Sequence, residues 1–185
     1  MEAETVAFEV VDALEALTVP YMIVGSLSSN AYGMARSTHD ADFVIELGEH
    51  TAGEVVQRLG PGYDLDPQMS FESITATLRY RIRHRDSAFT VELFLLSDDP
   101  HDQERFKRRR HEQVGNRLVF LPTPEDVIVT KIRWSKRGAR QKDVNDVRSV
   151  LRVQTGANLD LSYIRHWCDQ HGTRDLFEQL LAGIP

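Results

Sequence analysis

Asp40 and Asp42 stand one residue apart as the chain enters the apolar run Phe43-Val44-Ile45. Side chains alternate across a strand, so both carboxylates project to one side, roughly 6–7 Å apart along the backbone. Two like charges on one face repel and rarely serve packing; a bound cation resolves the conflict. A third carboxylate, Glu92, is the one charge inside the apolar run Val91-Glu92-Leu93-Phe94-Leu95-Leu96. If the two strands are neighbours, the three groups converge on one edge of a sheet. All three offer hard oxygen donors, the set that suits Mg²⁺, whose remaining ligands come from water and substrate phosphates. The competing reading makes Asp40 a strand cap, exposes Asp42 to solvent and pairs Glu92 with an arginine of residues 75–84.

Upstream, the apolar segment Tyr21-Met22-Ile23-Val24 breaks at Gly25-Ser26 before a run of small residues. A strand that turns into a helix at this point presents free backbone N–H groups and the positive end of the helix dipole, both suited to an anion. Gly25 lets the backbone approach such a ligand closely. An anion site and a cation site therefore flank one short segment, the arrangement a metal-bound phosphate ester requires.

Around this segment the elements follow from periodicity. Val6, Val10, Leu14 and Leu17 recur at helical spacing in residues 2–17, which Pro20 closes. Helices are expected at about 27–34 and 50–59, and an alternating strand over 75–83 that sets Arg79, Arg81 and Arg83 on one face, joined hairpin-like to the strand bearing Glu92. A short helix with a dense basic cluster occupies 101–111, and a strand covers 117–120. Thr123, Pro124 and Asp126 are respectively a cap, a first helical residue and a carboxylate three residues past the cap, so a helix starts there and carries Lys131. Further helices are expected at 140–153, 162–171 and 174–181, with a break at Gly156. The fold class is α/β, in the looser α+β sense: a small mixed sheet with flanking helices in residues 1–122, and a helical C-terminal part in 123–185, expected to pack on it as one compact unit.

Composition narrows the setting. Of 185 residues, 41% are hydrophobic and 27% charged, ordinary values for a globular protein. No apolar run approaches a membrane span, and the acidic start MEAETVAFEV has no secretory pattern, so a cytoplasmic location without a membrane partner is expected. The lone Cys168 excludes an internal disulfide and a multi-cysteine metal site; it reads as a small buried residue. The net charge of −6 is unevenly spread: residues 79–152 hold 18 basic against 11 acidic residues, the remainder 4 against 17. A basic middle attracts a phosphate-bearing ligand, although a solvated helix face explains it equally well. Arg36 either steadies a phosphate or pairs with Asp40. His39 is read as a loop residue, Asp143 and Asp146 as local partners of Arg140 and Lys142, and Trp134 and Trp167 as packing residues.

The ordered series of Gly25-Ser26, a short helix, Arg36-x-Thr38-x-Asp40-x-Asp42 and a later-strand carboxylate resembles the nucleotidyltransferase fold of the DNA polymerase β superfamily. Within it the chain looks most like the small bacterial proteins related to AbiEii toxins. The likeness continues through Phe106-Lys107-Arg108-Arg109-Arg110, Thr123-Pro124-Glu125-Asp126 with Lys131, and Arg140-Gln141-Lys142-Asp143-Val144-Asn145-Asp146. The resemblance implies transfer of a nucleoside monophosphate from an NTP, ATP among them, to a hydroxyl of RNA, protein or a small molecule, with two Mg²⁺ ions. It assigns Asp40, Asp42 and Glu92 to the metals and to catalysis, and Gly25, Ser26, Arg36 and Lys131 to the nucleotide. A toxin role with a cognate antitoxin is implied as well. The chain departs from the pattern once: the third carboxylate is usually Asp, and Glu92 adds a methylene. The alternative is therefore a degenerate member that binds nucleotide, RNA or a protein partner without chemistry; a two-metal phosphodiesterase would not need the Gly25-Ser26 turn.

Overall fold

The computed structural model describes residues 3–138, 140–154 and 159–184. Its elements in order are α1 (Ala3–Ala16), β1 (Tyr21–Val24), α2 (Gly25–Tyr32), β2 (Asp40–Ile45), α3 (Ala52–Leu59), β3 (Tyr63–Leu65), β4 (Ser70–Glu72), β5 (Thr77–His84), β6 (Thr90–Leu95), α4 (Pro100–Arg108), β7 (Arg110–Val114), β8 (Arg117–Leu121), α5 (Pro124–Gly138), α6 (Gln141–Gln154), α7 (Leu161–Gln170) and α8 (Arg174–Ala182). The expected break at Gly156 lies outside the described residues. Three short strands, β3, β4 and β7, were not anticipated from the sequence pattern.

The main sheet runs β1-β2-β6-β5-β3, with β4 also paired to β5. β1 and β2 are antiparallel, β2 and β6 parallel, and β6 and β5 antiparallel. Residue parity divides this sheet into two faces. Tyr21, Ile23, Ala41, Phe43, Ile45, Ile82, Val91 and Leu93 join the main core, together with Val6, Val10 and Leu14 of α1. Met22, Val24 and Val44 point the other way and pack with Phe106 of α4. Asp40, Asp42, Glu92, Arg79 and Arg81 share parity with this second face, because Asp42 pairs in register with Glu92 and Glu92 with Arg81. The sheet thus buries a largely apolar face, with His84 of β5 against Tyr63, and keeps its carboxylates for the face that α4 and α5 cover.

A polar network fixes the helices to one another. Asp126, fully buried, accepts from the Thr123 hydroxyl at 2.8 Å and the Tyr163 hydroxyl at 2.6 Å, and lies 3.2 Å from His101 Nε2. Arg108 reaches Asp126 at 3.3 Å and stacks over the Tyr163 ring at 3.9 Å. Arg109 lies over the Phe106 ring at 4.0 Å, and Arg110 pairs with Glu112 at 2.6 Å. Of the basic cluster that the sequence offered as a phosphate site, Arg108 and Arg109 are engaged internally, while Lys107 and Arg110 are exposed. Cys168 is buried in the core and Trp167 packs on His101, as their types suggest.

His171, beside His101, has its pKa pushed down to about 4, first by burial and then by Arg133 and His101. The folded state therefore favours neutral imidazole. The unfolded chain takes up protons first, and stability falls as pH drops from about 6.5 to about 4. His171→Gln is expected to lose this component, on the order of 2 kcal/mol, when urea denaturation is compared at neutral pH and near pH 4.5.

Candidate active site

A cavity of about 190 Å³ opens on the charged face of the sheet. Gly25, Ser26, Asp40, Asp42, Glu92 and Lys131 all line it. Of the sequence-derived candidates, only Arg36 stands outside the lining. It reaches the site indirectly: Nη2 donates to the Ser26 hydroxyl at 3.0 Å, while Nε and Nη2 make a two-point pair with Asp146 at 2.8 and 3.0 Å. The partner is Asp146 rather than the Asp40 considered from sequence, because the 33–39 loop lies against α6. Met34 N donates to Ser149 Oγ at 2.6 Å in the same contact.

Gly25 begins α2 with φ +65°, a left-handed conformation in which a side chain is strained. A Cβ there would lie 1.9 Å from Asp42 Oδ2. The close approach allowed by this glycine is thus made by the Asp42 carboxylate, which fills the space beside the turn. Ser28 and Ser29 return their hydroxyls to the Gly25 carbonyl at 3.0 Å each and brace the first turn.

Asp42 carries the electrostatic tension of the site. Its pKa is pushed up to about 7, by burial first and then by Asp40 and Glu92, against the opposing pull of Lys131 and Lys142. Three negative charges in a partly desolvated cleft resist simultaneous ionisation. Asp40 is steadied by the Thr38 hydroxyl. Glu92 is held differently: Arg79 Nη1 reaches Oε2 at 2.8 Å and Arg81 Nη2 reaches Oε1 at 3.0 Å. The arginine pairing considered in the competing sequence reading is therefore present, while Asp42 is not turned to bulk solvent. Among the described residues, no three His, Cys, Asp or Glu side chains are close enough to hold a metal ion.

The Asp40–Asp42 pair still fits Mg²⁺. Its donors are oxygen only, and Mg²⁺ takes one or two carboxylates with substrate phosphates completing its shell. A cation would also offset the repulsion that raises the Asp42 pKa.

Solved structures now supply a comparison. ANT(2″)-Ia in complex with adenylyl-2″-tobramycin matches with a TM-score of 0.63 at 14% identity, over 92% of this chain and 97% of that one. The lincomycin-bound lincosamide antibiotic adenylyltransferase LnuA matches with 0.55 at 13%, over 82% and 98%. A nucleotidyltransferase-like protein from Paracoccidioides brasiliensis matches with 0.55 at 19%, over 96% and 92%. This chain has the nucleotidyltransferase fold. Neither a protein-family model nor a curated protein sequence matches it.

Within this nucleotidyltransferase fold, Lys131 of α5 is buried and pairs with Asp143 at 3.0 Å and Asp146 at 2.9 Å. The sequence reading gave those aspartates local partners. Arg140 does approach Asp143 at 3.2 Å, but Lys131 and Arg36 hold Asp146 across 15 and 110 residues. The i, i+3 spacing on α6 was the available signal; what it lacked was the packing of α6 on α5. Lys131→Ala leaves the buried Asp143 and Asp146 with Arg140 and Arg36 as their remaining basic partners, and a loss of about 1–3 kcal/mol is expected in urea denaturation. Sequence reasoning also treated Trp134 as packing alone, whereas it lines the cavity edge-on to Phe94 at 6.3 Å.

Proposed function

We propose that this protein is a Mg²⁺-dependent nucleotidyltransferase that moves a nucleoside monophosphate from an NTP to an acceptor hydroxyl. The observation that carries this reading is that Gly25, Ser26, Asp40, Asp42, Glu92 and Lys131 line one and the same cavity. In the reaction the acceptor oxygen bonds to the α-phosphorus as its bond to the bridging oxygen breaks. Pyrophosphate leaves with that electron pair, and the hydroxyl proton passes to a carboxylate, assigned here to Glu92. Mg²⁺, held by Asp40 and Asp42 and joined by Glu92, would activate the hydroxyl and neutralise the leaving group. Ser26 and the N–H groups opening α2 bind the triphosphate, Arg36 fixes the Ser26 hydroxyl, and Lys131 adds positive charge to the same wall.

The acceptor lies among RNA, protein and small molecules; adenylyl-2″-tobramycin and lincomycin, bound in two of the comparison structures, are small molecules. The motif likeness to AbiEii proteins extends the proposal to a bacterial toxin with a cognate antitoxin partner, acting in the cytoplasm. No helix among the described residues is long and apolar enough to cross a membrane. Residues 1–122 form the proposed catalytic core, and 123–185 a helical part that supplies Lys131.

The test is incubation with labelled NTPs, Mg²⁺ and each acceptor class. Label transfer is expected in the wild type, abolished by EDTA and lowered roughly 1000-fold in Asp42→Ala. Absence of both nucleotide binding and transfer contradicts the proposal. The Arg79–Glu92–Arg81 contact favours a second reading, a module that binds NTP without chemistry. NTP binding with no pyrophosphate release from any acceptor selects it.

A further inference from the structure

The two arginines that hold Glu92 stand on β5, the strand beyond the third carboxylate, and Arg79 lines the cavity. Arg79 and Arg81 bring two positive charges to one carboxylate, a surplus of one. Arg79 is also oriented, by a 3.0 Å hydrogen bond from Nε to Ser70 Oγ and by its place over the Phe94 ring at 5.7 Å. Neither guanidinium is sealed in: the side chains are 27% and 42% exposed. Elsewhere in the lining the negative charges are matched. Asp102 pairs with Arg105, and Asp143 with Lys131 and Arg140. Apart from the metal pair Asp40 and Asp42, a cationic acceptor meets no carboxylate that lacks a basic partner.

Taking the transferase reading as its basis, we propose that Arg79 and Arg81 are the acceptor-binding anion site, selecting acceptors with a phosphate group near the nucleophilic hydroxyl. The planar guanidinium fork matches phosphate as well as it matches carboxylate. A phosphate seated on the pair takes the place of Glu92. The parallel register sets Glu92 directly beside Asp42, so the released carboxylate has its metal-binding position one strand away. Acceptor binding and completion of the three-carboxylate centre are then one event. The phosphate belongs either to a polynucleotide end or to a free mononucleotide.

Binding and transfer are measured on the full chain with Mg²⁺ and four probes: an oligoribonucleotide, a nucleoside 5′-monophosphate, the uncharged nucleoside and glucosamine. A nonhydrolysable NTP analogue is present for binding, and NTP for transfer. Both phosphate-bearing probes are expected to bind at least about tenfold more tightly than the other two. Arg79→Ala with Arg81→Ala is expected to erase that preference. Lysine at both positions restores part of the preference and guards against misfolding of the alanine variant. Tighter binding of the oligoribonucleotide than of the monophosphate assigns the phosphate to a polynucleotide; equal binding assigns it to the mononucleotide. Preference for glucosamine or the bare nucleoside, or a phosphate preference indifferent to both arginines, overturns the inference. Arginine-dependent phosphate binding without pyrophosphate release leaves this inference standing and removes the catalytic reading; release with a non-phosphorylated acceptor, indifferent to the arginines, does the opposite.

Discussion

Asp42→Asn is expected to make the protein more stable while abolishing Mg²⁺-dependent transfer. The folded-state pKa of Asp42 is raised to about 7 from an ordinary value near 3.8. An acid raised in this way binds protons more tightly folded than unfolded, so its stabilising contribution is complete only below about pH 3.8. Stability is then lost as pH rises towards 7, and the full cost is carried above that. Asparagine keeps the shape and removes the charge. At pH 8 the gain is on the order of 2 kcal/mol after allowance for cavity water, or about 5 °C in Tm for a chain of this size. Mg²⁺ is expected to raise the Tm of the wild type at that pH and to leave Asp42→Asn unmoved, because the ion relieves the same repulsion. Differential scanning calorimetry with and without Mg²⁺ measures both. A destabilised Asp42→Asn, or an equal response to Mg²⁺, contradicts the electrostatic account of the site.

Gly25→Ala is expected to be the most damaging glycine-to-alanine change among the described residues. The added Cβ meets Asp42 Oδ2 at 1.9 Å and Cγ at 2.8 Å, at a residue with φ +65°. The left-handed backbone costs about 1 kcal/mol and the forced displacement of a packed side chain a further 1–3 kcal/mol. Since Asp42 must move by more than an ångström, activity is expected to fall about 100-fold or more beyond the stability loss. Gly53→Ala is the control. It lies within α3 with only Thr51 Oγ1 nearby at 3.7 Å, and alanine favours a helix by about 1 kcal/mol over glycine. Urea denaturation and transfer assays on both variants separate conformational strain from loss of the site; parity between them counts against the close packing of Gly25 on Asp42.

The stretch from Tyr21 to Ile45 was legible because local chemistry fixes it. A β-rich apolar run, a Gly-Ser break and a second apolar run give β1, α2 and β2 with few alternatives. Thr123-Pro124 likewise marks the start of α5. β3, β4 and β7 were not legible. β3 and β4 have only three residues each, too few for an alternation to register, and β7 reads Arg110-His111-Glu112-Gln113-Val114, with a single apolar residue. Its strand conformation comes from pairing with β8.

At the site, residue types could be read but their pairings could not. Glu92 and the β5 arginines were both visible, and the arginine contact was one of two readings. The choice depends on the 81↔92 register of two antiparallel strands. Similarly, Arg108 to Asp126 and Lys131 to Asp146 are contacts between helices, and only tertiary packing decides which opposite charge each finds. Gly25 was taken to admit a ligand; the group it admits is the carboxylate of Asp42, whose arrival from β2 no local pattern announces.

In the proposed reaction a nucleotide's triphosphate and its metal meet at Gly25-Ser26 and Asp40-Asp42. A crystal structure with a nonhydrolysable NTP and Mg²⁺ tests it most directly. Phosphate oxygens are expected on the backbone N–H groups at Ser26, with Mg²⁺ between them and both aspartates. A triphosphate bound elsewhere, or bound here with no cation between it and Asp40 and Asp42, would contradict it.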